Sequence, residues 1–436
     1  MPIAALAGGL PPAQAAVLRA RRRLIPFLFL SYVVAYLDRV NIGFAAKTLQ
    51  RDLGLSESDY GLAAGSFFVG YLLLEVPSNL VMARVGARIW ISRIMVTWGL
   101  VSMAMFFAND KWSLVGLRVL LGAAEAGFFP GVVLYLTYWF PARERAKTIA
   151  LFMLAVPISV VIGAPLSAPL LALDGTLGLR GWQWLFLIEG IPAVLLGVLT
   201  PFWLTDRPEH AKWLTETERQ SLAHELAAER RQRDSQHPGS PFAALKNGRV
   251  LALCLVYFMN TMATYGIFLW LPRIIEDVSG HTGLRLALLT AAPLVVALVT
   301  MVLVGAHSDR SGERKWHTIA CALTGAAGLV VAASFQHHLL GLMLGFTLCQ
   351  VGQRSVAAVF WSIPPTLLGG TAAAAGIALI NSIGNLGGAF GPAVMGWLRQ
   401  ATQGFGAGLL VLAGALCVLA AILASLRLPR EERKAE

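Results

Sequence analysis

A small set of ionisable residues lies inside long apolar stretches of this 436-residue chain: Asp38, Arg39, Glu75, Arg118, Glu125, Glu189 and Arg354. Placing such a group in hydrocarbon costs at least about 2.5 kcal/mol, so each is a candidate for function. Asp38 and Arg39 are adjacent in SYVVAYLDRVNIGF (31–44). Neighbours on a helix point about 100° apart, so one addresses a packed helix and the other a cavity. Arg118 and Glu125 are seven residues apart and share a helix face, roughly 10 Å apart along its axis. The simplest assignment pairs Asp38 with Arg118 and leaves Glu125 within reach of that arginine. Burial disfavours a charged carboxylate and a nearby arginine favours it. An arginine that changes partner therefore changes the proton affinity of both acids, which is what coupling to protons requires. Arg39, permanently charged and fork-shaped, is left to bind a carboxylate in bidentate fashion.

The remaining members have plainer readings beside functional ones. Glu75 stands just before Pro77 near the end of its apolar run and suits a gate or a packing contact. Glu189, opening IEGIP, is similar. Arg354 suits either a second anion ligand or a partner for a helix terminus.

The elements that hold these residues follow from composition. The chain is 56% hydrophobic and 14% charged, far too apolar for a soluble protein of this length. Apolar runs long enough to cross a bilayer as helices recur throughout. Twelve are expected, at 24–45, 58–82, 87–108, 112–140, 146–172, 183–204, 249–276, 284–306, 316–335, 339–363, 371–398 and 404–427. The fold class expected is an all-α membrane protein, its twelve transmembrane helices forming two pseudo-symmetric six-helix bundles. The expected organisation is a cytoplasmic tail (1–23), a first bundle (24–204), a cytoplasmic linker with a short amphipathic helix (205–248), a second bundle (249–427) and a cytoplasmic tail (428–436). Thr215 and Glu218 fit a capping box that opens the linker helix. The small-residue and then basic start does not read as a cleavable leader, so the first run is expected to be a retained span.

The net charge of +11 marks topology and lipid attraction, not a nucleic-acid partner. With a cytoplasmic N-terminus, roughly 25 of the 35 Lys and Arg residues fall on the inner side and roughly seven on the outer. Both termini are then cytoplasmic. Cys254, Cys321, Cys349 and Cys417 all fall within expected spans and read as buried apolar residues.

The halves repeat each other. RVGARIW (84–90) and RSGERKW (310–316) share R-x-G-x-R-x-W, and IAL followed by glycine recurs at 149–163 and 377–391. Nearly equal offsets argue for a duplicated unit. GAHSDRSGERK (305–315) resembles the loop of the major facilitator superfamily. The first copy departs from it, with Ala83 where the family has aspartate. YLDRVNIG, EVPSNL, LRVLLGAAEAGFFPG, YWFPARERAK, GWQWLFLIEG, DRPEHAKWLT and GIALINSIGNLGG together resemble the anion:cation symporter branch, with tartrate and 4-hydroxyphenylacetate carriers as the nearest likeness. The resemblance implies proton coupling by Asp38 and Glu125 with Arg118, and substrate binding by Arg39, Tyr36 and Tyr71. It implies gating by Asp309, Arg310, Arg314, Arg84 and Arg88, to which Glu75 is added. Tyr265, Trp361 and Arg354 are further lining candidates, beside Tyr257 and Asn260. Asn381 and Asn385 share a helix face, for substrate or for interhelical hydrogen bonds.

No phosphate loop, zinc motif or nucleophile–base set is present, which argues against an enzyme or an ATP-driven pump. The function expected is proton-coupled uptake of a small organic carboxylate in a bacterial inner membrane. Protons are the coupling ion, there is no cofactor or metal, the bilayer is the other partner, and a monomer is expected. The alternatives are a sodium-coupled or exchange carrier, or a ligand sensor on the same fold.

Overall fold

Helix boundaries in this protein are set by its loops. Ser56 and Asp59 cap each other's backbone N–H at 3.1 Å, and Asp110 and Ser113 do so at 3.0 and 2.7 Å. The bonds from Ser113, side chain first and then backbone, hold the exposed Asp110 carboxyl below the usual carboxylate range. Thr215 and Glu218 form the expected capping box. Gly86 and Gly312, the shared glycines of the repeated motif, end their helices at φ of +99° and +67°, a region open to glycine without steric cost.

The structure, a computed structural model, describes residues 10–236, 247–364 and 370–426. Its helices begin with α1 (Pro12–Phe44), α2 (Ala46–Leu53), α3 (Glu57–Val85) and α4 (Ala87–Ala104). Next come α5 (Lys111–Glu125), α6 (Phe128–Thr137), α7 (Ala142–Met153), α8 (Ala155–Leu171) and α9 (Gly181–Trp203). After α10 (Glu216–Gln236) follow α11 (Gly248–Phe268), α12 (Leu271–Ser279), α13 (Gly283–Ser311) and α14 (Lys315–Ser334). The last are α15 (Leu339–Phe360), α16 (Gly370–Asn385), α17 (Gly387–Thr402) and α18 (Gly406–Ser425). No strand occurs among the described residues.

Nine helical stretches among the described residues are long and apolar enough to cross a membrane. The expected segments 146–172, 339–363 and 371–398 are helical as well. The first and last are each divided into two helices of 17 residues or fewer, α7 with α8 and α16 with α17, while Gln350, Gln353 and Arg354 lower the apolarity of α15. Several expected continuous spans are broken. The fourth stops at Glu125, where Gly127 turns to φ +89° before α6. The seventh breaks at Leu269–Trp270 and the eleventh at Leu386. Two further expectations are corrected. Residues 12–23 are helix and not tail, because PAQAAVLRARRR offers strong helix formers behind a proline at the first turn. The linker helix is not short: it runs for 21 residues. Residues 237–246 of the linker and the tail 428–436 lie outside the described residues. Cys254, Cys321 and Cys349 are buried, but Cys417 is exposed on α18.

Close helix contacts use small residues, as in membrane bundles generally. A Cβ on Gly122 of α5 would meet the Phe67 carbonyl oxygen of α3 and stand 2.9 Å from Tyr71 N. Both are backbone atoms and cannot swing aside. Gly122→Leu is expected to destabilise the protein by about 1–3 kcal/mol, read as a lower thermal midpoint in detergent. Gly116→Leu, with open space at its Cβ, is the control expected to change little.

Residues before 236 and after 247 meet along α3–α17, α8–α13 and α1–α12. The polar cross-links concentrate at one end: Lys47 to Glu276 (2.8 Å), Arg273 to Glu57 (3.7 Å), Ser58 N to Gln400 (3.2 Å) and Tyr60 OH to the Leu269 carbonyl (3.0 Å). At the other end, among the described residues, ion pairs join α10 to the first part only: Arg19–Glu218 (3.2 Å), Arg143–Glu225 (3.2 Å) and Arg145–Glu229 (2.8 Å), while Arg21 of α1 meets Glu144 of α7.

Candidate functional site

The mid-membrane charges converge on α1, and the sequence-based pairing is corrected there. Asp38 does not pair with Arg118. Its carboxylate turns to α4, where Trp98 Nε1 donates at 3.0 Å and Ser102 Oγ at 2.6 Å. Arg39 is the residue that faces α5, and it forms an ion pair with Glu125. The cause is helical geometry: Asp38 and Arg39 have similar depth but directions about 100° apart. Arg39 is therefore not left unpaired for a ligand. Arg118 donates to the Ala64 carbonyl of α3 at 3.2 Å, and its Nε and second terminal nitrogen have no partner.

Aromatic rings complete the cluster. The Arg39 guanidinium lies 5.1 Å from the Tyr36 ring centroid, 5.0 Å from Phe67 and 5.3 Å from Tyr71. Arg118 lies 5.2 Å from the same Phe67 ring. Two guanidinium groups thus lie against one aromatic ring. Tyr265 of α11 closes the site from the second part: its hydroxyl shares a 3.2 Å hydrogen bond with Tyr36 and accepts from Arg39 at 3.5 Å. Arg354 of α15 lies 5.8 Å from the Phe268 ring. One Glu125 carboxylate oxygen has no partner. Chemically this is a guanidinium held by a carboxylate that another carboxylate can replace.

Other candidates lie apart. Trp361 packs on Tyr257 at 4.8 Å. Glu75 of α3 accepts from Asn381 (2.8 Å) and Ser382 (3.1 Å) of α16. Asn381 is therefore an interhelical contact here, and Glu75 bridges the two parts. Among the described residues, Asn385 on the same helix makes no side-chain hydrogen bond. Arg84, Arg88 and Arg310 are exposed. The Arg88 backbone N–H donates to Asp206 at 2.8 Å. Arg314 approaches Ser308 at 3.5 Å. Asp309 lies in α13, and its side chain falls outside those described. Trp98 and Ser102 escaped sequence reasoning, although two polar groups four residues apart on an apolar helix signal a buried partner.

The family model for the Major Facilitator Superfamily matches residues 28–392 and 253–436. A protein of Agrobacterium vitis named "Putative tartrate transporter" is 50% identical over 413 residues, covering 95% of this chain and 91% of that one. A "Quinolone resistance transporter" of Acinetobacter baumannii is 42% identical and covers 89% of each. Among solved structures, a partially occluded inward-open form of the xylose transporter XylE from Escherichia coli superposes with a TM-score of 0.76, at 15% identity, covering 95% of this chain and 99% of that one.

Proposed function

Because this chain belongs to the major facilitator superfamily, whose members are transporters and not enzymes, we propose that it is a proton-coupled symporter of small organic acids, tartrate-like dicarboxylates first among them. It is a multi-pass inner membrane protein. In this reading its twelve spans form two six-helix bundles with both termini cytoplasmic, and the Lys47–Glu276 end faces outward.

The observation that carries the proposal is the Arg39–Glu125 ion pair, tied to the second part through Tyr265. A substrate carboxylate docking on Arg39 displaces Glu125. An unpaired buried carboxylate is costly, so Glu125 then takes up a proton. Substrate binding and protonation are linked by that exchange. A second carboxylate of the substrate is met by Arg354 of α15, beside Phe268. Tyr36, Tyr71 and Tyr265 hold the ligand backbone and its hydroxyls. Asp38 answers to Trp98 and Ser102, and its protonation frees these donors. Arg118 stands beside Glu125 as the stationary cation. The cross-links at the outward end part in the opposite half of the cycle, and the two bundles rock about the site.

Proteoliposome flux tests this. Labelled tartrate should accumulate under an imposed inward proton gradient without sodium, and collapse on adding a protonophore. Glu125→Gln should retain tartrate counterflow and accumulate only to equilibrium. Accumulation at the wild-type level in that variant removes Glu125 from coupling. The aromatic lining of Tyr36, Phe67, Tyr71 and Tyr265 favours a second reading, an aromatic monocarboxylate as substrate. Competition of such acids against tartrate counterflow decides between the two.

A further inference from the structure

Two glutamines on α15 are buried with their hydrogen-bonding capacity unused. Gln350 is 1% exposed and Gln353 2%, and neither the amide oxygen nor the amide nitrogen of either has a partner among the described residues. An amide offers two donors and an acceptor, and burying it unbonded is costly. Polar side chains that a membrane helix keeps at that cost mark function. The two stand beside Arg354, at positions i, i+3 and i+4 of one helix.

The packing of α15 shows which way they point. Its small residues meet α14: a Cβ on Gly352 would meet Gly325 N, and one on Gly345 would meet Ala332 N. A second side meets α11, where Tyr257 stacks on Phe360 with centroids 5.4 Å apart and meets Trp361 edge-on at 4.8 Å. At 100° per residue, Gln353 lies within about 20° of Phe360, and Gln350 and Arg354 within about 20° of Trp361. Both amides therefore turn to α11. Ser355, also buried with an unpartnered hydroxyl, turns the opposite way and has no part in this. Depth agrees with direction. α11 and α15 run antiparallel, since Tyr257 meets Trp361 while Phe268 meets Arg354 at 5.8 Å. From the Tyr257–Trp361 contact, the glutamines lie roughly 10–16 Å along α15, and Tyr265 roughly 12 Å along α11 in the same direction. They are level with Tyr265, whose hydroxyl meets Tyr36 and Arg39.

We propose that Gln350 and Gln353 read the hydroxyl groups of the substrate, and that its class is the 2-hydroxy dicarboxylates. This rests on the organic-acid reading above. Arg354 takes one carboxylate, and the hydroxyl on the adjacent carbon falls to the amides one turn away. A hydroxyl both donates and accepts, and an amide answers both; an arginine only donates. Arg39 therefore anchors the acid from the first part, and α15 selects for what stands next to the other carboxylate. An acid without hydroxyls leaves both amides unbonded, and a site built to bond a hydroxyl rejects the analogue that lacks it.

The test is competition against labelled tartrate counterflow by tartrate and by succinate, which has the same carbon chain and carboxylates but no hydroxyl. It compares wild type with Gln350→Met and Gln353→Met, side chains of similar size without an amide. The expected result is that each variant lowers the preference for tartrate over succinate by about two- to 13-fold. An unchanged preference in either variant, or an equal loss of both acids, overturns the inference and leaves the organic-acid reading standing. Should a methionine variant give no counterflow, Gln350→Asn and Gln353→Asn decide by the same preference: a fall supports the inference and no change overturns it. A wild type that takes tartrate and succinate equally overturns this inference alone. One that takes neither overturns the organic-acid reading with it.

Discussion

Arg39→Ala is expected to weaken substrate binding by roughly 30- to 4,000-fold. The range follows from the 2–5 kcal/mol typical for removing one partner of a buried hydrogen-bonded charge pair, at about 1.4 kcal/mol per decade. Arg39 is 8% exposed and ringed by Tyr36, Phe67 and Tyr71, so water replaces little of what is lost. The substitution also strands Glu125, which then stays protonated and no longer responds to ligand. Arg39→Lys is not expected to rescue it, because an ammonium group lacks the planar fork that holds a carboxylate and stacks on rings. Titration of purified protein with tartrate, by calorimetry or thermal shift, reads the effect. Near-normal affinity in Arg39→Ala would remove this residue from the site.

Gly65→Leu is expected to stop transport while the protein still folds. Gly65 of α3 faces the backbone of α17: a Cβ there would meet the Ala389 carbonyl oxygen and lie 3.2 Å from Ala389 Cα. Gly61 meets Pro392 and Gly396 in the same way. This seam holds the Lys47–Glu276 end together. Overpacking of about 1–3 kcal/mol disfavours the closed seam, which is about five- to 150-fold against the arrangement seen here. A cysteine introduced at Lys47 should react faster with an impermeant maleimide in Gly65→Leu than in the parent. Ordinary flux with unchanged labelling would show that α3 and α17 part without consequence.

The reach of the sequence differs between depth and direction. Depth was legible, because apolar runs and basic loops locate each residue along its helix. The shared glycine of R-x-G-x-R-x-W was legible as well, since Gly86 and Gly312 need backbone angles that few other residues adopt. Direction was not. Asp38 and Arg39 have almost the same depth, so counting residues could not say which one meets α5 and which one meets α4. The breaks at Gly127 and Leu386 were hidden for a related reason: AEAGFFPG and GNLGGAFGP look apolar and continuous, and the Thr261 hydroxyl of α11, which donates to the Gly384 carbonyl just before the second break, is remote in sequence. Tyr36, Arg39, Tyr71, Tyr265 and Glu125 do come together. Asn381 was legible as polar but not as the partner of Glu75, because that contact joins residues 306 positions apart.

The ion pairs of α10 bear on how motion in this protein can be observed. Arg19, Arg143 and Arg145 fasten the helix to α1 and α7, and among the described residues no such bond ties it to the second part. If the two parts rock, α10 rides with the first as ballast. Spin labels or fluorophores on α10 and α7 would therefore report one constant distance throughout turnover. Moving the second label to the exposed start of α14, at Trp316, turns the same helix into a fixed reference from which opening can be gauged.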